Sequence, residues 1–363
     1  MGKWVKKKLG ECLTIGNGQD YKHLNSGEIP VYGTGGVMTY VDSFLYDGET
    51  VCIGRKGTIN KPIFHIGKIW TVDTLFYTHS FKDLQPLYAY YVFCAIKWDK
   101  YNEATGVPSL SKETINKIEV TIPSALSEQR RIASILSSAD KVIDSTQKLI
   151  AKYKSIKQGM MEDLLKPKEG WKKVKLGECC EINPKTDTSK VLDDDIIVFV
   201  KMEDVSNDGF ITSFNEKTYQ SLQKKGFTVF QNDDVIFAKI TPCMENGKGA
   251  LVRDFDTKIC MGSTEFHVIR ACENISIDFI YQLTISKQFR LEAEMQMTGS
   301  AGQQRVPISF LEDYLFYIPD FSEQCRIASI LSSIDKKIES EEKTLEKYKN
   351  IKKGLMEKLL KGE

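Results

Sequence analysis

The side chains that could carry out chemistry are few, and their spacing does not suit it. His23, His65, His79 and His267 lie far apart, and no two stand at the separation of a metal pair. There is no GxxxxGK(S/T) phosphate loop and no GxSxG nucleophile elbow. Gly54-Arg-Lys-Gly and Gly247-Lys-Gly read as glycine-basic hairpin turns rather than nucleotide cradles. Pro319-Asp320 followed by Glu323-Gln324 imitates a nuclease carboxylate motif, but Glu323 opens a helical stretch whose dipole favours a negative charge there. Asn183-Pro-Lys does not supply the Asn/Asp-Pro-Pro-aromatic segment that methylation of a base amino group would require. The nine cysteines are scattered and contain no CxxC, so they read as reduced thiols of a cytoplasmic protein, not a disulfide framework or a zinc site. The sequence therefore predicts no catalytic centre, no metal and no cofactor in this chain.

The elements that must position any binding side chain are set by a repeat. Residues 127–165 and 322–360 align without a gap and agree at roughly two thirds of positions. In the first copy Ile132, Ile135, Leu136, Ala139, Val142, Ile143, Ile150, Ile156 and Met160 recur at three- and four-residue steps, as do Ile327, Ile330, Leu331, Ile334, Ile338, Ile351 and Leu355 in the second. Each copy is expected to be one helix of about 55–60 Å at 1.5 Å per residue, capped by Ser127 or Ser322. Two near-identical apolar stripes suit packing of the copies on each other; packing of each on its own globular neighbour is the plainer alternative.

The repeat extends beyond the helices. Trp4-Val-Lys-Lys-Lys-Leu-Gly-Glu-Cys matches Trp171-Lys-Lys-Val-Lys-Leu-Gly-Glu-Cys. Thr50-Val-Cys-Ile-Gly-Arg-Lys echoes Asp234-Val-Ile-Phe-Ala-Lys-Ile, both alternating like strands. Asp73-Thr-Leu-Phe-Tyr parallels Ser263-Thr-Glu-Phe-His, and helices are expected over 86–103 and 276–294. Thr105-Gly-Val-Pro parallels a stretch from Thr298 to Pro307 that carries six further residues, after which Ser111 and Ser309 look like helix caps. The expected class is α+β: globular regions over 1–126 and 171–321, a first long helix and link over 127–170, and a second over 322–363. The short link makes paired helices antiparallel, with the two globular regions related by an approximate two-fold axis. That geometry suits a reader of two inverted half-sites on a duplex.

Charge and hydropathy restrict the partners. With 50 Lys+Arg against 49 Asp+Glu the net charge is +1, unlike a simple electrostatic nucleic-acid binder, so a partner is expected to supply part of any positive surface. No apolar run approaches the roughly 20 residues that cross a bilayer, and the start MGKWVKKKLG lacks a signal-peptide core.

Leu-Ser-Glu-Gln-Arg-Arg-Ile-Ala (126–133), Phe-Ser-Glu-Gln-Cys-Arg-Ile-Ala (321–328) and the paired Lys-Leu-Gly-Glu openings resemble the specificity subunits of type I restriction-modification systems, over essentially the whole chain. Ile29-Pro-Val-Tyr-Gly-Thr-Gly-Gly and Asp233-Asp-Val-Ile-Phe-Ala-Lys-Ile-Thr-Pro-Cys look like target-recognition segments of that family; Cys325 departs from its usual arginine. The resemblance implies two α/β target recognition domains, each reading half of a bipartite double-stranded DNA sequence, with the long helices as a coiled-coil spacer. It also implies two methyltransferase subunits and two translocating restriction subunits as partners, which would hold S-adenosylmethionine, ATP and Mg.

Under that resemblance the DNA contacts fall on loops with basic and amide side chains. In the first domain these are Thr34, Arg55, Lys56, Lys61, Thr105 and Ser109; in the second they are Lys239, Thr241, Lys248, Ser300, Gln303, Gln304 and Arg305. Gln303, Gln304 and Arg305 are the sharpest choice, since Gln suits adenine and Arg suits guanine. Two rivals belong to other classes: a scaffold that spaces two protein-binding heads, and an enzyme with unfamiliar motifs.

Overall fold

A computed structural model describes residues 3–223, 225–300 and 302–361. The chain forms two compact units, Met1–Leu149 with Glu342–Glu363, and Ile150–Glu341. The division cuts through both long helices instead of setting them apart from the globular regions, because each half of a helix packs on a different core.

In the first unit β1 (Trp4–Lys8) runs directly into a single turn, α1 (Leu9–Cys12). There follow β2 (Thr14–Asn17), β3 (Ser26–Gly33), β4 (Gly36–Val41), β5 (Tyr46–Gly54), β6 (Ile63–Thr71) and β7 (Leu75–His79). These six form one sheet in the order β2-β7-β5-β6-β3-β4, antiparallel except where β3 runs parallel to β6. Helix α2 (Pro86–Ala95) starts with proline at its first position, and the Gln85 side chain accepts from Tyr88 N. It stops well before Glu103: Ile96 turns extended, and Trp98 folds back so that its indole nitrogen donates to Phe93 O at 2.8 Å. Next come α3 (Lys112–Lys117), β8 (Glu119–Pro123) and the long helix α4 (Leu126–Leu164). β8 pairs with β1, Trp4 opposite Pro123, so the first and last strands of the domain close on each other. Leu9, Ile53, Tyr88, Phe93 and Trp98 form the core, joined by Ile132, Ala133 and Leu136 of α4 and by Leu355, Met356 and Leu359 near the chain's end.

The second unit repeats this plan with β9 (Lys172–Lys175), α5 (Leu176–Cys179), β10 (Cys180–Ile182), β11 (Ile196–Val200), β12 (Asn215–Thr218), α6 (Tyr219–Leu222), β13 (Thr228–Phe230), β14 (Asp234–Ala238), β15 (Gly249–Leu251), β16 (Cys260–Gly262) and β17 (Phe266–Ala271). Here the strands form two sheets, β10-β17-β14-β15 and β12-β11-β16-β13. The one parallel contact is kept, now between β11 and β16. The expected helix over 276–294 is two, α7 (Ile277–Thr284) and α8 (Lys287–Met295), because Ser286 turns extended and caps the second through Phe289 N. Last are α9 (Ile308–Asp313), β18 (Leu315–Ile318) and α10 (Phe321–Leu359). Met161 of α4 and Ile327, Ala328 and Leu331 of α10 enter this core with Phe237, Phe279 and Phe289.

The long helices are 39 residues each, as expected, but each starts one residue early. Ser127 and Ser322 therefore lie inside their helices, and α10 is capped by Asp320, whose Oδ1 accepts from Glu323 N at 2.9 Å. Ser111 caps α3 as expected, through Thr114 N, whereas Ser309 sits within α9, which begins after Pro307. Val142, Ile156 and Ile351, assigned above to the apolar stripes, are exposed.

Candidate nucleic-acid interface

Both glycine-basic turns are hairpin loops. Gly54-Arg-Lys-Gly leads from β5 towards β6, and Gly247-Lys-Gly lies between β14 and β15. In the first domain Arg55 N and Lys56 N both donate to Thr74 O, at 2.8 and 3.2 Å. Gly57 N donates to Pro108 O at 2.8 Å and Leu110 N to Arg55 O at 2.9 Å, which fastens the 104–108 loop to the hairpin. Gly57 takes φ +94°, a left-handed conformation that favours glycine, and the Thr34 hydroxyl lies 3.8 Å from where its Cβ would stand. Thr34, Arg55, Lys56 and Ser109 are thus brought together. The Arg55 guanidinium donates to Asp73 O at 3.4 Å and lies over the Phe76 ring. Lys61 and Thr105 are exposed on the same two loops.

The second domain builds the same pair of loops. Lys239 N donates to Glu265 O at 2.9 Å, and Val306 N to Lys239 O at 2.8 Å. Thr241 N donates to Gln304 O and its hydroxyl accepts from Gln304 N, at 3.0 and 3.1 Å. Thr298 and Arg305 exchange two backbone hydrogen bonds, while Gln303 N donates to Ser300 O. Lys239, Thr241, Gln303, Gln304 and Arg305 therefore converge. Ser300 and Gln303 are exposed. Lys248 differs, because its ammonium donates to the carbonyls of Met202 and Val205 at 2.8 Å each, a contact that holds its own domain together.

Equivalent bonds fix which positions correspond. Arg55 matches Lys239, Thr74 matches Glu265, and Ser109 matches Arg305, because each set makes the same backbone contacts. The apparent match of Leu75 with Glu265 is off by one, a slip that would turn every side chain of the strand to the other face. Glu103 N donates to Ser109 O as Thr298 N does to Arg305 O, so the closed loops span 104–108 and 299–304. The second loop is longer by one residue at this closure, not six, because the counterpart of Thr298 is Glu103 rather than Thr105 and that of Pro307 is Ser111 rather than Pro108.

Two groups at this site were given no binding role in the sequence, and a third lies away from it, at the base of each long helix. Glu265 grips Arg305 side-on, Nε to Oε2 at 2.9 Å and Nη2 to Oε1 at 2.8 Å. The guanidinium holds the Glu265 carboxyl below the usual carboxylate range and is itself raised. His267 is buried beneath, Nε2 against Val306 O at 2.9 Å and Nδ1 against the Asn183 amide nitrogen at 3.0 Å, and burial pushes its pKa down. The third is Gln129, with its counterpart Gln324, of the Ser-Glu-Gln motif. Gln129 Oε1 accepts from Gln85 N, and its Nε2 donates to Asp83 O and Pro123 O. Gln324 does the same with Ser276 N and Pro319 O, so each amide ties the base of its long helix to its own domain. The motif itself was the only signal in the sequence.

Among the described residues no helix is long and apolar enough to cross a membrane, and no group of three His, Cys, Asp or Glu side chains could hold a metal.

Two mixed α/β domains thus each fasten a hairpin loop to a second polar loop. Residues 1–154 and 168–350 match the type I restriction modification DNA specificity domain, and the chain belongs to that family. It is 36% identical over 172 residues to the type I restriction enzyme EcoEI specificity subunit of Escherichia coli, covering 46% of this chain and 28% of that one. With the EcoAI specificity subunit of the same organism it shares 42% over 163 residues, 44% of this chain and 27% of that one. The MjaVIII specificity subunit of Methanocaldococcus jannaschii is 25% identical over 344 residues, 88% of this chain and 78% of that one. The chain thus spans little more than a quarter of the length of each of these two Escherichia coli relatives. Among solved structures, the type I restriction-modification S subunit from M. genitalium has a TM-score of 0.66 at 13% identity, with 99% of this chain and 96% of that one covered. A chain from a structure describing assembly and conformational transition of the type I R-M system has a TM-score of 0.51 at 14% identity, covering 99% and 97%. At such identities the likeness is one of fold.

Proposed function

We propose that this chain is the non-catalytic DNA-reading subunit of a type I restriction-modification complex. Each domain takes one half of a bipartite double-stranded target, and the long helices pair antiparallel as the spacer. The chain positions two methyltransferase subunits and two restriction subunits, which bring S-adenosylmethionine, ATP and Mg. The observation that carries the reading is the shared two-loop platform: Arg55 with Ser109 in one domain and Lys239 with Arg305 in the other occupy matching backbone positions yet differ in side chain. One framework with two sets of readers suits two different half-sites.

The helix pairing is supported by two ion pairs. Lys352 meets Asp140 in one unit and Lys157 meets Asp335 in the other. Moving forward along α4 from 140 to 157 corresponds to moving back along α10 from 352 to 335 by the same number of residues, as one antiparallel register requires. Co-expression with modification subunits and methylome sequencing tests the whole reading. A two-part methylated motif is expected. Absence of any sequence-selective methylation would favour a scaffold that spaces protein-binding heads.

A further inference from the structure

We propose that Arg305, braced by Glu265, reads a guanine in the major groove of the second domain's half-site, an inference that rests on the DNA-reading function above. The guanidinium is already engaged along one edge, with Nε and Nη2 on the Glu265 carboxylate at 2.9 and 2.8 Å, while Nη1 reaches Gln303 O at 3.3 Å. That leaves the end-on edge of the guanidinium, with one hydrogen on Nη1 and one on Nη2, as two parallel donors. Guanine offers two adjacent acceptors, N7 and O6, in the major groove; adenine replaces the second with an amino donor and so is rejected.

Charge separates this role from a phosphate contact. Glu265 neutralises Arg305 and would itself repel a phosphate, so the pair is poorly suited to gripping the backbone and well suited to an uncharged base edge. The brace also fixes a long flexible side chain before DNA arrives. Both partners stand on rigid backbone: Arg305 exchanges two bonds with Thr298, and the Glu265 carbonyl holds Lys239. In the first domain Thr74 and Ser109 occupy the equivalent positions, so this device belongs to one half-site only.

The test uses the full chain assembled with its modification subunits. The target is first mapped by methylome sequencing, and each guanine of the second domain's half-site is then replaced singly by 7-deazaguanine, which lacks N7. One such duplex should bind the wild-type complex about 10-fold more weakly. With an Arg305→Ala complex the same replacement should change binding by less than about 2-fold, because the contact is already gone. Glu265→Gln, which keeps shape and removes the charge, should reduce the guanine effect without abolishing DNA binding. The slope of log K against log salt should be the same for Arg305→Ala as for wild type. A half-site made only of A·T pairs, additive losses, or a slope smaller by about 1, as a lost phosphate contact gives, would overturn the inference while leaving the DNA-reading function intact. A wild-type complex with no sequence-selective binding would overturn both.

Discussion

Lys157 of α4 meets Asp335 of α10 at 2.5 Å, with the two side chains only 12% and 7% exposed. Asp335 also accepts from Gln282 Nε2 at 2.8 Å. The repeat sets Lys352 and Asp140 at the same places in the other unit, where they too are paired, and where the Tyr91 hydroxyl donates to Asp140 at 2.7 Å. One acidic residue per helix therefore joins a lysine of the other helix to a helix of its own domain.

Removing one member of the more buried pair leaves the other uncompensated. Asp335→Ala is expected to cost about 3–5 kcal/mol. Asp140→Ala should cost less, because its pair is 28% and 23% exposed and water can replace the lost partner. Urea unfolding of the two variants measures the difference. Equal losses would show that burial does not decide it.

The Ser-Glu-Gln glutamines make the same kind of prediction for hydrogen bonds. Gln129→Leu keeps the volume but leaves Gln85 N and two carbonyls without their buried partner, as Gln324→Leu does for Ser276 N and Pro319 O. Each is expected to destabilise its domain by on the order of 3 kcal/mol. Hydrogen exchange should show faster opening in the altered domain alone. Protection lost equally in both domains would contradict a local clamp.

Acid should weaken the second domain. Burial lowers the His267 pKa, so below about 6.5 the unfolded chain takes up a proton that the folded histidine resists. The unfolded state then binds more protons, and stability falls as pH drops from 6.5 through the folded value. The depressed Glu265 carboxyl adds a loss of the same sign at lower pH, since its stabilising contact is complete only above the unfolded carboxylate pKa. His267→Gln, which can keep one donor and one acceptor, should flatten the change between pH 7.5 and 5.5 in denaturant titrations. An unchanged slope in that variant would assign the acid loss to other groups.

If the paired helices are the spacer, their length sets the distance between half-sites. One heptad added to each, near Thr146 and Glu341, keeps both ion pairs and lengthens the rod by about 10 Å. Against about 3.4 Å per base pair, the methylated motif should keep its half-sites and gain roughly one to three base pairs of spacer. Methylome sequencing decides it, and an active variant with an unchanged spacer would exclude the ruler. Lengthening one helix alone should lower stability instead.

The sequence by itself determined the repeat, the two long helices to within a residue, the α+β class and the glycine-basic hairpins, because these rest on periodicities and turn residues that act over a few positions. It could not determine which loop meets which. Glu265 and Arg305 are 40 residues apart, Gln129 reaches back 46 residues to Asp83, and the register of β7 and β17 places Thr74, not Leu75, at the position of Glu265. Ser127 looked like a helix cap because its chemistry is right for one, yet the helix begins a residue sooner, and in the second copy Asp320 takes the cap. Such contacts depend on strand pairing and core packing between distant segments, and chain spacing carries no record of them. The tertiary structure alone therefore decided that Arg305 is braced by a carboxylate and that Lys248 is engaged within its own domain.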